Sequence, residues 1–243
     1  MKRTDIVMTE ELKSFLAFDL GHMKEDAFPN KRTDIPYCDD PELLMDIYYP
    51  EEKKDTYPVF LIVFGGGWIS GFRRSRFVEY MLKPLQMGYA CAVAQYTLSL
   101  DDTFPRPVID LKKAVNYLHT HAQELLLDTD NLTLWGESAG GHLALETALL
   151  PNERLGLTGL NTAVKNLVIF YPITDCDTID RYVKTEKDRH LRPDSVMGIF
   201  LSSGLNDPQT LDLASPAHWI HPGMPRLWLQ HGTADRLVTP HQS

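Results

Sequence analysis

The sequence is poor in cysteine, in basic charge and in long apolar runs, and each shortage removes a class of protein. Its three cysteines, Cys38, Cys91 and Cys176, are odd in number, far apart and outside any Cys-x-x-Cys pair. They speak against a disulfide-stapled scaffold or a cysteine zinc site, and they point to a reducing, cytoplasmic setting. Lys and Arg total 24 against 33 Asp and Glu, a formal net charge of −9, which argues against nucleic acid or an anionic membrane surface as partner. No apolar run approaches the ~20 residues of a transmembrane helix, so no membrane span is expected. The first eleven residues carry charges but lack the apolar core of a secretory leader. There is no internal repeat and no low-complexity tract.

What remains is an ordinary globular composition. At 43% hydrophobic and 23% charged residues the chain can bury a large core, and a single domain over 1–243 is expected. Apolar runs rich in β-branched and aromatic residues alternate with segments of helical period, the pattern of an α/β fold with a mostly parallel sheet covered on both faces. Strands are predicted at about 44–49, 58–64, 89–95, 131–135, 166–171 and 225–230, and helices at about 9–20, 75–87, 106–122, 139–150 and 195–203. In the 106–122 helix, Val108, Leu111, Val115 and Leu118 recur at spacings of three and four and form the face toward the sheet. Gly88 before Tyr89 marks a helix stop. The stretch 175–219 is long, charged and poorly periodic, with Arg181, Lys184, Lys187, Asp188, Arg189 and Arg192. It reads either as a cap insertion or as a solvated excursion. Residues 1–30, with Phe15, Leu16, Phe18 and Leu20, read as an N-terminal cap element.

Two glycine motifs carry the chemistry. Gly136-Glu137-Ser138-Ala139-Gly140 joins the apolar run 132–135 to an apolar helix. A Gly-x-Ser-x-Gly at a strand-to-helix junction is the pattern of a nucleophile elbow, a turn so sharp that only small residues fit two before and two after the serine. The elbow exposes the Ser138 hydroxyl and sets the Ala139 N–H, at a helix N-terminus, beside it as an oxyanion donor. A chance glycine pair at a helix start is the plainer alternative. Phe64-Gly65-Gly66-Gly67-Trp68 ends a second buried strand, and its glycines let the backbone approach a ligand and turn N–H groups inward. A phosphate cradle would need GxGxxG or GxxxxGK[ST], and neither is present.

Together these motifs resemble the alpha/beta-hydrolase superfamily, and more narrowly the esterase/lipase branch with an HGGGW-type oxyanion loop and a GESAGG elbow, which includes hormone-sensitive-lipase-like and feruloyl-esterase-like carboxylesterases. The resemblance runs along nearly the whole chain. Residues 45–50 look like the family's early strand, 106–114 like the helix before the nucleophile strand, and Ala214-Ser215-Pro216 with 231–238 like its C-terminal acid region. It implies an alpha/beta-hydrolase fold and a serine carboxylesterase acting on small-acyl esters, with Ser138 as nucleophile, Asp235 as the acid, Gly66, Gly67 and Ala139 as the oxyanion hole, and no metal or organic cofactor. Asp175 and Asp177 are fallback acids, and Glu137 reads as a structural hydrogen-bonding group. By position alone, Phe72 and Arg73 are candidates to line the substrate pocket.

Two departures qualify the resemblance. Phe64 stands where the family has histidine. The family's order of serine, acid, histidine also places the catalytic histidine well beyond Asp235, whereas only His241 follows here. His142 is expected in packing below the serine and His231 in a structural role. His218 and His221 lack the carboxylates or cysteine of a metal site, and His22, His119, His121 and His190 have no supporting context. The chain is therefore expected to lack the family's last strand, last helix and catalytic histidine. An unpaired apolar sheet edge would follow, with homo-oligomer formation through it. The alternatives are an inactive binding protein on the same fold and an amide-directed hydrolase.

Overall fold

The computed structural model describes residues 9, 12–13, 16–17, 21–182 and 189–243. The helix expected over 9–20 lies largely outside the described residues, as do Lys184, Lys187 and Asp188. Seven strands form one sheet in the order β1-β2-β4-β3-β5-β6-β7. They are β1 (Lys31–Pro36), β2 (Leu44–Tyr48), β3 (Tyr57–Val63), β4 (Ala90–Ala94), β5 (Leu127–Glu137), β6 (Asn166–Phe170) and β7 (Arg226–Gln230). β1 and β2 pair antiparallel, β2 runs antiparallel to β4, and every later pairing is parallel. Of the parallel strands, β3 and β4 are continuous apolar runs, as burial on both faces requires, and all five residues of β4 are buried, whereas β7 is mostly exposed.

Five α-helices are described: α1 (Arg76–Met81), α2 (Arg106–Thr120), α3 (Ala139–Leu149), α4 (Val196–Leu201) and α5 (Pro208–Leu213). α2 buries Val108, Leu111, Val115 and Leu118, the face its periodicity predicts. α3 follows β5 without a linker and is buried along nearly its whole length, the polar His142, Glu146 and Thr147 included. It lies on the sheet face of Leu132, Leu134 and Ile169. α1 lies on the opposite face, where Tyr80 meets the Glu137 side chain. A 3-10 turn, Lys83–Met87, continues α1 and stops at Gly88, whose φ of 82° is a left-handed cap.

Within the 175–219 stretch, the segment 196–201 packs into the core. Met197, Ile199, Phe200 and Leu201 of α4 are almost fully buried, and Phe200 stacks on Trp68 with ring centroids 4.5 Å apart. Two elements escaped the sequence reading. β1 is a polar edge strand, mostly half-buried or exposed, with no apolar alternation to reveal it. α5 is short, but Asp207 caps it by accepting from the N–H groups of Gln209 and Thr210, and the Asp-Pro start was a readable signal. Within the described sheet β7 is the last strand, and Leu227 and Trp228 on it are 41% and 64% exposed.

Candidate active site

The elbow follows from steric exclusion. Ser138 has φ 52° and ψ −126°, a conformation L-residues rarely hold unless their surroundings enforce it. Its neighbours do so. A Cβ on Gly136 would lie 2.3 Å from Gly140 O, and one on Gly140 would lie 2.2 Å from Val63 O. Any side chain at either position pushes β5, α3 and the end of β3 apart. The turn is pinned by Ser138 N–H donating to Phe170 O at 2.9 Å and by Ser138 O accepting from His142 N–H at 3.0 Å.

The glycine turn after β3 packs directly on this elbow. A Cβ on Gly65 would sit 2.9 Å from Glu137 O and 3.6 Å from Ser138 Cβ. Gly66 takes φ 126° and Gly67 φ 58°, and Gly66 O closes the loop by accepting from the N–H groups of Ile69 and Ser70. Among the described residues no acceptor takes the backbone N–H of Gly66, Gly67 or Ala139. Phe64 stacks on Tyr96 at 4.5 Å, and its carbonyl accepts from Tyr96 Oη at 2.9 Å. An aromatic pair therefore anchors the loop at the position where the family has histidine.

Asp235 lies in the loop after β7. Its Oδ1 accepts from the N–H groups of Leu237 at 2.9 Å and Val238 at 3.0 Å. Its Oδ2 accepts no hydrogen bond among the described residues; His231 Nε2 is 3.5 Å away but is engaged with Val238 O at 2.8 Å. The elbow, the glycine turn and the acid loop all occupy the C-terminal ends of parallel strands, where open α/β sheets place their ligand sites. The fallback acids are used locally. The Asp175 carboxylate accepts from the N–H groups of Asp177 and Thr178 and from Thr178 Oγ1, and Asp177 is exposed.

No histidine ring lies within hydrogen-bonding distance of Ser138 Oγ among the described residues, and most are engaged elsewhere. His142 is fully buried. Its Nε2 donates to Ala214 O at 2.9 Å and its Nδ1 accepts from Trp68 Nε1 at 3.3 Å. Burial drives its pKa down to about 4 against the lesser, opposite pull of the Ala214 carbonyl, so the ring stays neutral. His190 meets Asp180 and Leu237 O, and His218 meets Asp212. His231 also meets Ser243 Oγ, and His241 stacks on Tyr182 at 3.7 Å. Among the described residues no cluster of three or more His, Cys, Asp or Glu could hold a metal ion, and no described helix is long and apolar enough to cross a membrane.

Arg73 departs from its expected place. Its guanidinium joins Arg74, Asp34 and the fully buried Asp46 in an ion cluster at β1 and β2 rather than lining a substrate pocket. Sequence reasoning missed Trp68 as the partner of His142, and Tyr80 and Tyr171 as partners of Glu137. These contacts span 74, 57 and 34 positions of chain, and no local pattern announces them.

Known proteins resemble this chain in sequence and in fold. Esterase LipQ of Mycobacterium tuberculosis is 27% identical over 217 residues, covering 87% of this chain and 50% of LipQ. The chain spans about half the length of the curated relatives it matches. Among solved structures, a truncated form of a carbohydrate esterase from gut microbiota superposes with a TM-score of 0.80 at 21% identity, over 91% of this chain and 83% of that one. Thermogutta terrifontis esterase 2 phosphonylated by sarin superposes with a TM-score of 0.67 at 25% identity, over 88% of this chain and 76% of that one. The BD-FAE family matches residues 45–243; the chain belongs to that family and has the alpha/beta-hydrolase fold.

Proposed function

We propose that this BD-FAE family chain carries the nucleophile, oxyanion hole and acid of a serine carboxylesterase that cleaves small-acyl esters. Ser138 Oγ attacks the ester carbonyl. The N–H groups of Gly66, Gly67 and Ala139 stabilise the resulting oxyanion, and the alcohol leaves to give an acyl-enzyme that water then hydrolyses. Asp235 orients a histidine that accepts the serine proton and returns it to the leaving alcohol. Among the described residues no histidine ring stands within hydrogen-bonding distance of Ser138 Oγ, and the reading leaves that histidine unassigned. The observation that carries the reading is the strained Ser138 backbone, enforced by Gly136 and Gly140. Such strain has a use where a hydroxyl must stand clear of its own helix. The esterase names of relatives such as LipQ and the carbohydrate esterase support the same reaction class.

The inactive-fold alternative draws on one observation, the engagement of His142, His190 and His231 with other partners. Hydrolysis of p-nitrophenyl acetate beside Ser138→Ala, together with fluorophosphonate labelling, separates the two. The esterase reading expects turnover and labelling that both vanish in Ser138→Ala. Equal rates and no label in either protein mean an incomplete or inactive hydrolase site.

A further inference from the structure

Glu137 precedes the nucleophile, and the reaction above gives it no role. Its side chain is buried, and its Oε2 accepts from two phenols, Tyr80 Oη and Tyr171 Oη, the second at 2.7 Å. The two tyrosines belong to different parts of the site. Tyr80 sits on α1, the first helix after the glycine turn. Tyr171 follows β6 immediately, at φ 38°, and its backbone N–H donates at 2.8 Å to the carbonyl of Gln230, the last residue of β7 before the acid loop. Glu137 is itself bonded to Ser138. One carboxylate oxygen therefore joins the element behind the oxyanion loop, the nucleophile and the strand pair behind Asp235.

We propose that Glu137 is a positioning residue that sets the spacing of the oxyanion loop, the nucleophile and the acid loop, through Tyr80 on one side and Tyr171 on the other. Hydrogen bonds from hydroxyl to carboxylate are short and about twice as strong as neutral ones, so two converging on one oxygen hold their donors closely. Burial, and then the carboxylate itself, raises the pKa of both phenols above the usual tyrosine range, which keeps both protonated as donors. A structural role alone would spread the loss of either bond over the fold. A positioning role confines each loss to one loop.

The inference rests on the serine-esterase reading, and its test separates the two. Hydrogen–deuterium exchange is followed by mass spectrometry in Tyr80→Phe, Tyr171→Phe and Glu137→Gln, beside thermal melting. Tyr80→Phe should speed exchange in peptides covering 64–71 and leave 231–238 unchanged; Tyr171→Phe should do the reverse, and Glu137→Gln should loosen both. Melting temperatures should hold. In an active holoenzyme kcat should fall between about tenfold and a hundredfold with KM unchanged. Exchange that does not change in any variant, or that rises evenly across the protein with a falling melting temperature, overturns the proposal. Exchange needs no turnover, so an unlabelled, inactive wild-type chain leaves the esterase reading without support and this test still able to decide. A labelled wild type with unchanged exchange in all three variants sinks the positioning role alone.

Discussion

The nucleophile elbow and the acid loop are assigned to one reaction, yet they are built in opposite ways. At the elbow, Gly136 and Gly140 lie so close to neighbouring backbone that a single added carbon would come within 2.3 Å of an oxygen. At the acid loop, a Cβ on Gly232 meets nothing within 4 Å, and Leu237 is 68% exposed. The elbow has one shape because every other shape clashes. The acid loop has its shape through a few hydrogen bonds around Asp235 and His231, each worth only about 1 kcal/mol net. In the proposed reaction the nucleophile sits in a steric cage. An acid that acts by orienting a partner can sit on an adjustable support.

The sharpest way to break the contrast is to add the same methyl group on both sides. Gly140→Ala, forced against Val63 O and Phe64 O, should cost more than about 3 kcal/mol, by overpacking and backbone displacement together. Urea unfolding should show this as a collapse of the midpoint or as an insoluble product. A Gly140→Ala protein of wild-type stability would refute the steric account of the elbow.

Acid should find the elbow's weak point next. Unfolded His142 titrates near its ordinary 6.5 and the folded ring at about 4, so between those values the unfolded chain binds more protons. The stability this ring protects is complete above pH 6.5 and is lost as pH falls toward 4, about 3 kcal/mol in all. Denaturation curves across that range should show a slope that His142→Gln removes. An unchanged slope would place the titration elsewhere.

Relieving the strained serine should have a smaller effect of opposite sign. Ser138→Gly should raise stability by about 1 kcal/mol, since glycine holds φ 52° without strain but gives back chain entropy on folding. It should also abolish fluorophosphonate labelling. A destabilised Ser138→Gly would mean that the serine is not strained. The smallest change belongs to the open regions: Gly232→Ala and Trp228→Gln should each stay within about 0.5 kcal/mol, read by the same urea midpoints. A large loss at Trp228 would mean that the exposed β7 face is covered in solution.

Legibility in the sequence follows the range of the forces involved. β3, β4 and β6 are buried apolar runs, and α2 keeps a strict helical period, so local pattern located them within a residue or two. β1 was hidden because an edge strand of Lys31, Arg32, Thr33 and Asp34 needs no apolar face. The Gly-x-Ser-x-Gly and triple-glycine motifs were readable because their small residues are adjacent in sequence, although the crowding at Gly140 and Gly65 comes from segments far along the chain. The Tyr80–Glu137–Tyr171 junction, the His142–Trp68 bond and the diversion of Arg73 to Asp46 were not readable. Each depends on which strand lies beside which.

The sequence by itself therefore determined the α/β class and the places of the Gly-x-Ser-x-Gly and triple-glycine turns, because periodicity and the spacing of small residues are local. Only the tertiary structure decided that Gly65 rests on Ser138, that one carboxylate oxygen serves two phenols, and that His142 is buried neutral between Trp68 and Ala214. Those facts come from hydrogen bonds and burial between segments tens of residues apart, and they exist only once the sheet has assembled.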